Sequence, residues 1–198
     1  DENLATPILI GRPAVINARL EKAGLRIRLG VDFQNVNPED DPRFRRYWEH
    51  YQKLMGRNGV TPDMAKAAVR RSNTLIAALM VSLGDADAML CGLVGTYETH
   101  LERIRSVLGV APGASNFAAL NVLMTEQRTL FIADTYVNDD PSAQQLAEIA
   151  AMAVEQVQRF GLPPKVAFLS HSSYGSSMRP SARKMREARD LFVAAHPE

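Results

Sequence analysis

The chain has 198 residues, of which 46% are hydrophobic and 23% are charged, and its formal net charge at pH 7 is +1. This composition is typical of a globular protein that buries a core in one large domain or in two small ones. Because the net charge is close to zero, we expect no general attraction to nucleic acid or to an anionic membrane.

The cysteine count and the apolar runs indicate the compartment. The only cysteine, Cys91, allows no disulfide within the chain, which indicates a reducing compartment. No stretch approaches the roughly 20 apolar residues that cross a bilayer, and the segment that starts at Asp1 lacks the features of a signal peptide. We therefore predict a cytoplasmic location. Cys91 itself lies in an apolar run and is expected to be a buried core residue rather than a nucleophile.

Short apolar runs predict strands, and apolar residues at helical spacing predict helices. In chain order the predicted elements are strand 7–11, helix 13–23, strand 25–29, loop 30–42, helix 44–54, helix 61–83, strand 86–92, helix 98–108, strands 117–124 and 129–133, helix 143–160, strand 165–169 and helix 180–195. Strands 117–124 and 129–133 are expected to form a hairpin. The alternation of strands and helices predicts an α/β fold with a largely parallel sheet.

A serine-rich loop follows the apolar run 165–169 and precedes the last helix. Seven of its residues are candidate ligand-binding residues: Ser170, His171, Ser172, Ser173, Gly175, Ser176 and Ser177. In open α/β proteins, anionic ligands bind at the carboxyl ends of strands and at the N-termini of the helices that follow them. The alternative is a turn whose hydroxyl groups only cap the helix. The sequence alone leaves both interpretations open.

A second candidate site lies between the predicted strand 86–92 and the helix that follows it. Gly92 permits close approach of the backbone to a ligand, and Thr96 offers a hydroxyl group to a phosphate. The glycine spacing is not the dinucleotide-binding fingerprint, because no third glycine follows where that motif requires one. Asp85 and Asp87, which precede the strand, are interpreted as turn and cap residues rather than as metal ligands.

The acidic loop 134–141 and the four histidines do not predict a metal site. Asp134 is a candidate ligand-binding residue, but its loop lacks the calcium-binding spacing, and no histidine has a partner at zinc-ligand spacing. His171, beside the serines, is the one candidate acid or base. A Ser–His nucleophilic pair stays open, although sequence neighbours on a strand point to opposite faces.

Several motifs together resemble the phosphate acetyl/butyryltransferase family. The motifs are GDADAMLCG at 84–92, the run 134–150 that begins DTYVN, and the run 160–172 that contains FGLPPKVAFLSHS. A more specific likeness, to the transacetylase-like C-terminal domain of bacterial NADP-dependent malic enzymes, is carried by YWEHY at 47–51, LSHS at 169–172 and SARKMREA at 181–188. The resemblance covers nearly the whole chain.

The resemblance implies a doubly wound α/β architecture in two lobes, similar to isocitrate and isopropylmalate dehydrogenases and incomplete here at both ends. Residues 1–112 would form part of the first lobe, and residues 113–198 part of the second lobe, through which the family dimerises. The implied ligand is acetyl-CoA or a related thioester, held in the cleft between the lobes. NADP and a divalent metal would belong only to a malic enzyme segment upstream of this chain.

The chain differs from working transacetylases of that family at charged positions. One family arginine, shortly before a Gly-Val/Ile-Thr turn, falls at Met55, and another, after a Thr-Leu pair, falls at Glu102. Transfer of acetyl to phosphate needs fixed positive charge for the phosphate and for the developing oxyanion. Arg57 and Arg103 are near, but a shift of one residue turns a helical side chain by about 100°. The family's Ser-Arg pair would fall beyond the end of this chain.

Three hypotheses follow. In the first, the domain has no catalytic residues and binds acetyl-CoA to regulate a malic enzyme that converts malate oxidatively to pyruvate. In the second, it is an active phosphate acetyltransferase in which Arg57 or Arg103 replaces the lost charges. In the third, it is an oligomerisation scaffold, which the long alanine-rich helix 143–160 favours. A homo-oligomer is expected in the first and third.

Overall fold

The structure, a computed structural model, describes residues 4–197. The chain forms two compact units, Asp1–Gly109 and Val110–Glu198. Strand, helix and strand alternate at the start of the described chain, but four α-helices then follow in succession, and two strands precede the last two α-helices. Among the described residues, no helix has both the length and the apolar character that crossing a bilayer requires.

The bounds of the elements agree with most of the predictions. The first unit contains β1 (Ile8–Ile10), α1 (Pro13–Lys22), β2 (Gln34–Val36), α2 (Phe44–Met55), α3 (Pro62–Arg71), α4 (Asn73–Ser82) and α5 (Tyr97–Leu108). The second contains β3 (Leu120–Met124), β4 (Thr129–Ala133), α6 (Ala143–Arg159) and α7 (Pro180–Ala195). Two short 3-10 helices, Gly56–Asn58 and Ser173–Gly175, follow α2 and precede α7.

β1 and β2 pair in parallel, and helix α1 lies between them in sequence. Ile8 is opposite Gln34, and Ile10 is opposite Val36. β2 falls within the segment 30–42, so the prediction of a loop is wrong at these residues. The strand is only three residues long, which is too short to show alternation, but it is fixed to the core because Phe33 is 2% exposed and Val36 is 1% exposed.

The predicted strand 25–29 is not formed. The alternation of Leu25, Ile27 and Leu29 with arginines is typical of a strand, yet all three apolar side chains are exposed. A single β-bridge between Leu29 and Phe33 is the only pairing that the described structure gives this segment. Alternation alone was misleading here, because a strand needs a neighbouring strand that supplies hydrogen bonds.

The predicted helix 61–83 is two helices, α3 and α4, with a break at Ser72. Thr61 caps α3, as predicted, by accepting a hydrogen bond from the backbone N–H of Met64 at 3.3 Å. Ser72 has extended backbone angles, and its hydroxyl accepts a hydrogen bond from the N–H of Leu75 at 3.1 Å. α3 buries only one stripe of residues, whereas α4 is buried on most sides, so the break allows α4 to enter the core separately.

Large apolar side chains form the core of the first unit. α4 supplies most of them, and α2 contributes Tyr47 and Tyr51 from one face. The members of the cluster are Val36, Tyr47, Tyr51, Ala65, Val69, Leu75, Ile76, Ala78, Leu79, Met80 and Val107. Val36 of β2 belongs to this core, Ile8 and Ile10 of β1 pack against it, and α5 contributes Val107 from its last turn.

The second unit contains the predicted hairpin and two long helices. β3 and β4 pair antiparallel, with Leu120 opposite Ala133, and the turn is closed by hydrogen bonds between Thr125 and Arg128. α6 begins with a capping box in which Ser142 and Gln145 each accept a backbone N–H of the other. α6 packs against α7.

Two further predicted strands, 86–92 and 165–169, are not paired in the structure. Both predictions are therefore wrong for the residues described. Leu90 is 100% exposed and Leu169 is 77% exposed, whereas Met89 packs against the core and Phe168 lies against the ring of Phe192. Cys91 is exposed as well, which contradicts its expected place in the core. The apolar character of these runs is that of buried strands, but no described strand lies beside either one.

Candidate functional site

The serine loop is held in one conformation by its own hydrogen bonds. The N–H of Ser177 donates to the hydroxyl of Ser172 at 2.8 Å, and the N–H of Ser172 donates to the hydroxyl of Ser170 at 3.1 Å. The hydroxyl of Ser176 donates to the carbonyl of Ser173 at 3.0 Å. Five of the seven candidate residues of this loop are thus joined by hydrogen bonds directly before α7, and a sixth, Gly175, lies in the 3-10 helix between them.

Arg186 of α7 holds the serine loop against the helix by hydrogen bonds. This role was not predicted from the sequence. Its Nη1 donates to the carbonyl of Ser177 at 2.7 Å and to the carbonyl of Gly175. Gly175 has φ of 70°, and a Cβ there would lie 3.0 Å from Cδ of Arg186, so glycine is required both for the backbone angle and for the space. A basic residue two turns into the following helix is the signal that could have identified this contact.

The N-terminus of α7 adds a favourable environment for an anion. Arg179, at the N-cap position, makes no side-chain cap, and Pro180 occupies the first helical position. The N–H groups of the first turn are therefore available to another acceptor, and the positive end of the helix dipole lies there. Arg183 and Lys184 lie in the same turn of the helix, and Lys184 pairs with Asp140.

His171 lies among hydroxyl groups rather than beside an acid. Its Nε2 is 3.3 Å from the hydroxyl of Ser177, and its Nδ1 is 3.5 Å from the hydroxyl of Ser181. Nucleophilic serine chemistry needs a base whose second nitrogen is oriented and charge-stabilised by a carboxylate. No carboxylate of the described residues is bonded to His171, so this arrangement is a weak nucleophilic pair.

The loop fits a ligand that presents carbonyl or phosphate oxygens. The hydroxyl of Ser172 accepts a backbone N–H, but within the part of the chain described here its own proton has no acceptor. The hydroxyl of Ser173 makes no hydrogen bond in the same set of residues. Both groups, with the N–H groups that start α7, are donors suited to an acyl carbonyl or a phosphate.

Asp134 is occupied by contacts within its own unit. Its carboxylate accepts hydrogen bonds from the N–H groups of Ala119 at 2.9 Å and Asn138 at 2.9 Å, and from the side-chain amide of Asn138 at 2.6 Å. Burial raises the pKa of Asp134, but these hydrogen bonds outweigh burial and hold the pKa below its ordinary value. The carboxylate orders the loop after β4, which leaves little capacity for a ligand.

Gly92 and Thr96 lie in the first unit, and Gly92 lines a cavity of about 250 Å³. Gly92 lines the cavity together with Cys91 and His100. Thr96 caps α5 by accepting the N–H of Thr99 at 3.3 Å. His100 bonds through Nδ1 to Thr74 and through Nε2 to the carbonyl of Val94, both at 2.8 Å. Sequence reasoning missed this histidine, because its partners are distant or lie in an irregular segment.

Met55 and Glu102, which stand where the family's arginines fall, lie on α2 and α5. Met55 is half-buried at the end of α2, where its sulfur accepts a weak hydrogen bond from Asn58 at 3.7 Å. Glu102 is exposed on α5, and Arg103 is half-buried. Arg57 is exposed, and its side chain has no hydrogen bond or ion pair within residues 4–197.

Asp85 has a structural role, in agreement with its interpretation as a turn residue. It accepts hydrogen bonds from the hydroxyl of the buried Tyr47 at 3.0 Å and from Arg46 at 3.0 Å. Burial, with the neighbouring Asp85 carboxylate, raises the pKa of Tyr47. Asp87 is exposed. Across residues 4–197, no three acidic, cysteine or histidine side chains are grouped in a way that could hold a metal ion.

Comparisons with known proteins place these features in a family. The whole chain, residues 1–198, matches the family model described as phosphate acetyl/butaryl transferase. The chain is 51% identical over 195 residues to the NADP-dependent malic enzyme of Escherichia coli (strain K12), covering 98% of this chain and 26% of that protein. It is 45% identical over 198 residues to the NAD-dependent malic enzyme of Rhizobium meliloti (strain 1021), covering 100% of this chain and 26% of that protein. The chain thus spans about a quarter of the length of the malic enzymes that it matches.

A solved structure shows the same fold. The phosphotransacetylase from Streptococcus pyogenes superposes with a TM-score of 0.86 and 28% sequence identity, covering 100% of this chain and 59% of that one. The α/β fold class and the phosphotransacetylase-like architecture that the sequence predicts are therefore confirmed. The likeness to malic enzymes is confirmed as well.

Proposed function

Because this chain belongs to the phosphate acetyl/butyryl transferase family, we propose that it binds acetyl-CoA, or a related thioester, as a regulatory module and does not transfer acetyl groups. The serine loop before α7 would contribute hydroxyl and N–H donors to the ligand. Binding regulates an attached enzyme only if the ligand prefers one of two states of the whole protein. The proposed location is the cytoplasm.

The observation that carries this proposal is the contrast between an ordered donor loop and missing cations. The hydroxyl groups of Ser172 and Ser173 retain protons for a ligand, whereas Met55 and Glu102 stand where the family's arginines fall. A thioether attracts no dianion, and a carboxylate repels one. Available donors together with missing positive charges favour binding of a thioester over chemistry on inorganic phosphate.

The parent protein is proposed to be a malic enzyme that oxidatively decarboxylates malate to pyruvate. Relatives at about half identity carry that name, and this chain matches about a quarter of their length. A dehydrogenase segment would hold the dinucleotide and the divalent metal. NADP is the proposed dinucleotide, although one relative, at 45% identity, is named NAD-dependent.

Self-association is part of the same proposal. Apolar side chains on the hairpin and the serine loop of the second unit are exposed, among them Met124 at 79% and Tyr174 at 107%. Exposed apolar surface of this kind favours association. A homodimer or higher oligomer through the second unit would cover part of it, and light scattering would measure the resulting mass.

The binding proposal is tested by calorimetric titration of acetyl-CoA into the protein. Changing Arg186→Gln removes the donors to the carbonyls of Gly175 and Ser177, which should loosen the loop and weaken binding about tenfold. Arg183→Gln is the matched control, because it removes the same charge from the same helix while its side chain has no hydrogen bond or ion pair among the described residues. Absence of both heat and a thermal shift at millimolar acetyl-CoA would reject the proposal.

A second candidate, an active phosphate acetyltransferase, is favoured by one observation. Arg57 lies two residues from Met55 and makes no hydrogen bond or ion pair with the described residues, so its charge is available to a phosphate. An assay for acetyl phosphate formed from acetyl-CoA and phosphate separates the two functions. Turnover that Arg57→Gln abolishes would establish the second function, and absence of turnover together with binding would support the first.

A further inference from the structure

A cavity of the first unit lies apart from Gly92 and Thr96, the candidate residues of that unit. Its volume is about 540 Å³, which is within the range of small-molecule sites in proteins. It shares no lining residue with the cavity beside Gly92. The residues that line it are Ile10, Gly11, Arg12, Val15, Ile16, Arg19, Pro38, Glu39, Arg70 and Asn73.

The position of this cavity in the fold is suited to an anion. β1 ends at Ile10 and β2 ends at Val36, and residues directly after both strands line the cavity. The carboxyl ends of parallel strands, next to the start of the helix that follows, are the usual ligand edge of an open α/β sheet. Helix α1 starts at Pro13, and its N-cap residue, Arg12, provides no side-chain cap.

Three guanidinium groups line the cavity. Two of them belong to Arg12, the N-cap residue of α1, and to Arg19, within α1. In the described part of the chain, neither side chain has a hydrogen bond or an ion pair. Arg70, at the end of α3, is oriented by its stacking over the ring of Phe44, 4.7 Å from the ring centroid.

The rest of the wall is held by hydrogen bonds between elements. The side-chain amide of Asn73 donates to the carbonyl of Ile10 at 3.2 Å and joins α4 to the end of β1. The side-chain amide of Asn35 donates to the carbonyls of Leu9 at 2.8 Å and Gly11 at 3.0 Å. These contacts fix the end of β1, which Arg12 directly follows, and tie it to α4 and β2.

We propose that this cavity is a second anion site, which binds a phosphorylated small molecule through Arg12, Arg19 and Arg70. Planar guanidinium groups match phosphate oxygens in pairs, and the three arginines outnumber Glu39, the one carboxylate on the wall among residues 4–197. The site is formed by the first unit alone, so it does not depend on the serine loop or on the proposed binding of acetyl-CoA.

The site is tested with inorganic pyrophosphate at constant ionic strength, because salt screens exposed charges. Backbone amide NMR signals of Gly11 and Asn73 should shift during the titration, and they report this cavity rather than the serine loop. Each of Arg12→Gln, Arg19→Gln and Arg70→Gln should weaken binding about fivefold. Arg26→Gln, an exposed arginine of the same unit outside the cavity, should leave the affinity unchanged.

Glu39 provides a test in the opposite direction. Glu39→Gln removes the one negative charge of the wall and should tighten pyrophosphate binding about threefold. Affinities that are the same in all five variants, or shifts confined to residues 170–177, would overturn the proposal. Citrate titrated in the same way tests the ligand class, and citrate binding at least as tight as pyrophosphate would overturn the assignment to phosphate.

Discussion

Asp134 is a residue whose charge stabilises the second unit, and its effect depends on pH. Burial raises the pKa of this carboxyl, but the hydrogen bonds that it accepts hold the pKa below the ordinary value. The stabilisation that the charge of Asp134 gives the folded state is therefore complete above the unfolded-state pKa of about 4. It is lost as the pH falls through the lower folded-state pKa. We expect Asp134→Asn to lower the free energy of unfolding at pH 7 by about 1–3 kcal/mol.

Urea unfolding of the wild type and of Asp134→Asn at pH 7 and at pH 3 measures this effect. The difference between the two proteins should be smaller at the lower pH. Asp139→Asn is the control, since Asp139 is exposed in the same loop and its side chain has no hydrogen bond or ion pair among residues 4–197. An equal difference at both pH values would contradict the assigned role of the charge.

Tyr47 and Asp85 form a pair in which the two partners are not equivalent. Tyr47→Phe leaves Asp85 bonded to Arg46, so it should cost about 1 kcal/mol. Asp85→Ala leaves the buried hydroxyl of Tyr47 and the guanidinium of Arg46 without their shared acceptor, which should cost about 2–3 kcal/mol.

Asp87→Ala is the matched control for this pair, because Asp87 is exposed two residues after Asp85. Its free energy of unfolding, measured in urea, should stay within about 0.5 kcal/mol of the wild type. If Tyr47→Phe lowered the free energy of unfolding as much as Asp85→Ala does, the prediction that Asp85 contributes more than Tyr47 would be wrong.

At the scale of elements, Ser72 sets the break between α3 and α4. Ser72→Ala removes the hydroxyl that caps α4 and should cost about 1 kcal/mol, whereas Ser72→Asp keeps a cap and should cost much less. Urea unfolding compares the two variants, and circular dichroism reports their helix content. A rise in helix content without loss of stability in Ser72→Ala would mean that one continuous helix is equally acceptable.

The sequence predicted the helices and the hairpin well, because helix caps, glycine stops and apolar periodicity are local signals. It failed at segments 25–29, 86–92 and 165–169, where apolar character predicts a strand but pairing depends on a neighbour elsewhere in the chain. It also missed the break at Ser72, since Ser72 is compatible with a helix interior and only the burial of α4 explains the break.

The contacts that hold the candidate residues were not predictable from the sequence. The serine loop directly precedes α7, as predicted, but the strand expected before it is not formed. Arg186, which holds the loop, and His100, which ties α5 to α4 through Thr74, were not identified, because their contacts join positions far apart in sequence. Whether Gly92, Thr96, Asp134 or the serines contact a ligand stays a prediction.

At the scale of the molecule, the two units differ in the size of their cores. The first buries large side chains, including Tyr47, Leu79 and Met80, whereas the buried residues in the described part of the second unit are five alanines and Ile149. Burial of apolar area is the main stabilising contribution, at roughly 25 cal/mol per Å². We expect the second unit to lose hydrogen-exchange protection at a lower urea concentration than the first.

Hydrogen exchange with mass spectrometry, on peptides from α4 and from α6, separates the two units. Leu79→Ala should lower the free energy of unfolding reported by α4 by about 2–5 kcal/mol, and Ile149→Ala should lower the free energy reported by α6. The alanine-rich packing of α6 against α7 leaves apolar side chains exposed, so a second copy of the chain that covers them would stabilise this unit by mass action. The α6 transition should then move to higher urea as the protein concentration rises, while the α4 transition should not. A concentration-independent α6 transition would show that this surface is not covered by self-association.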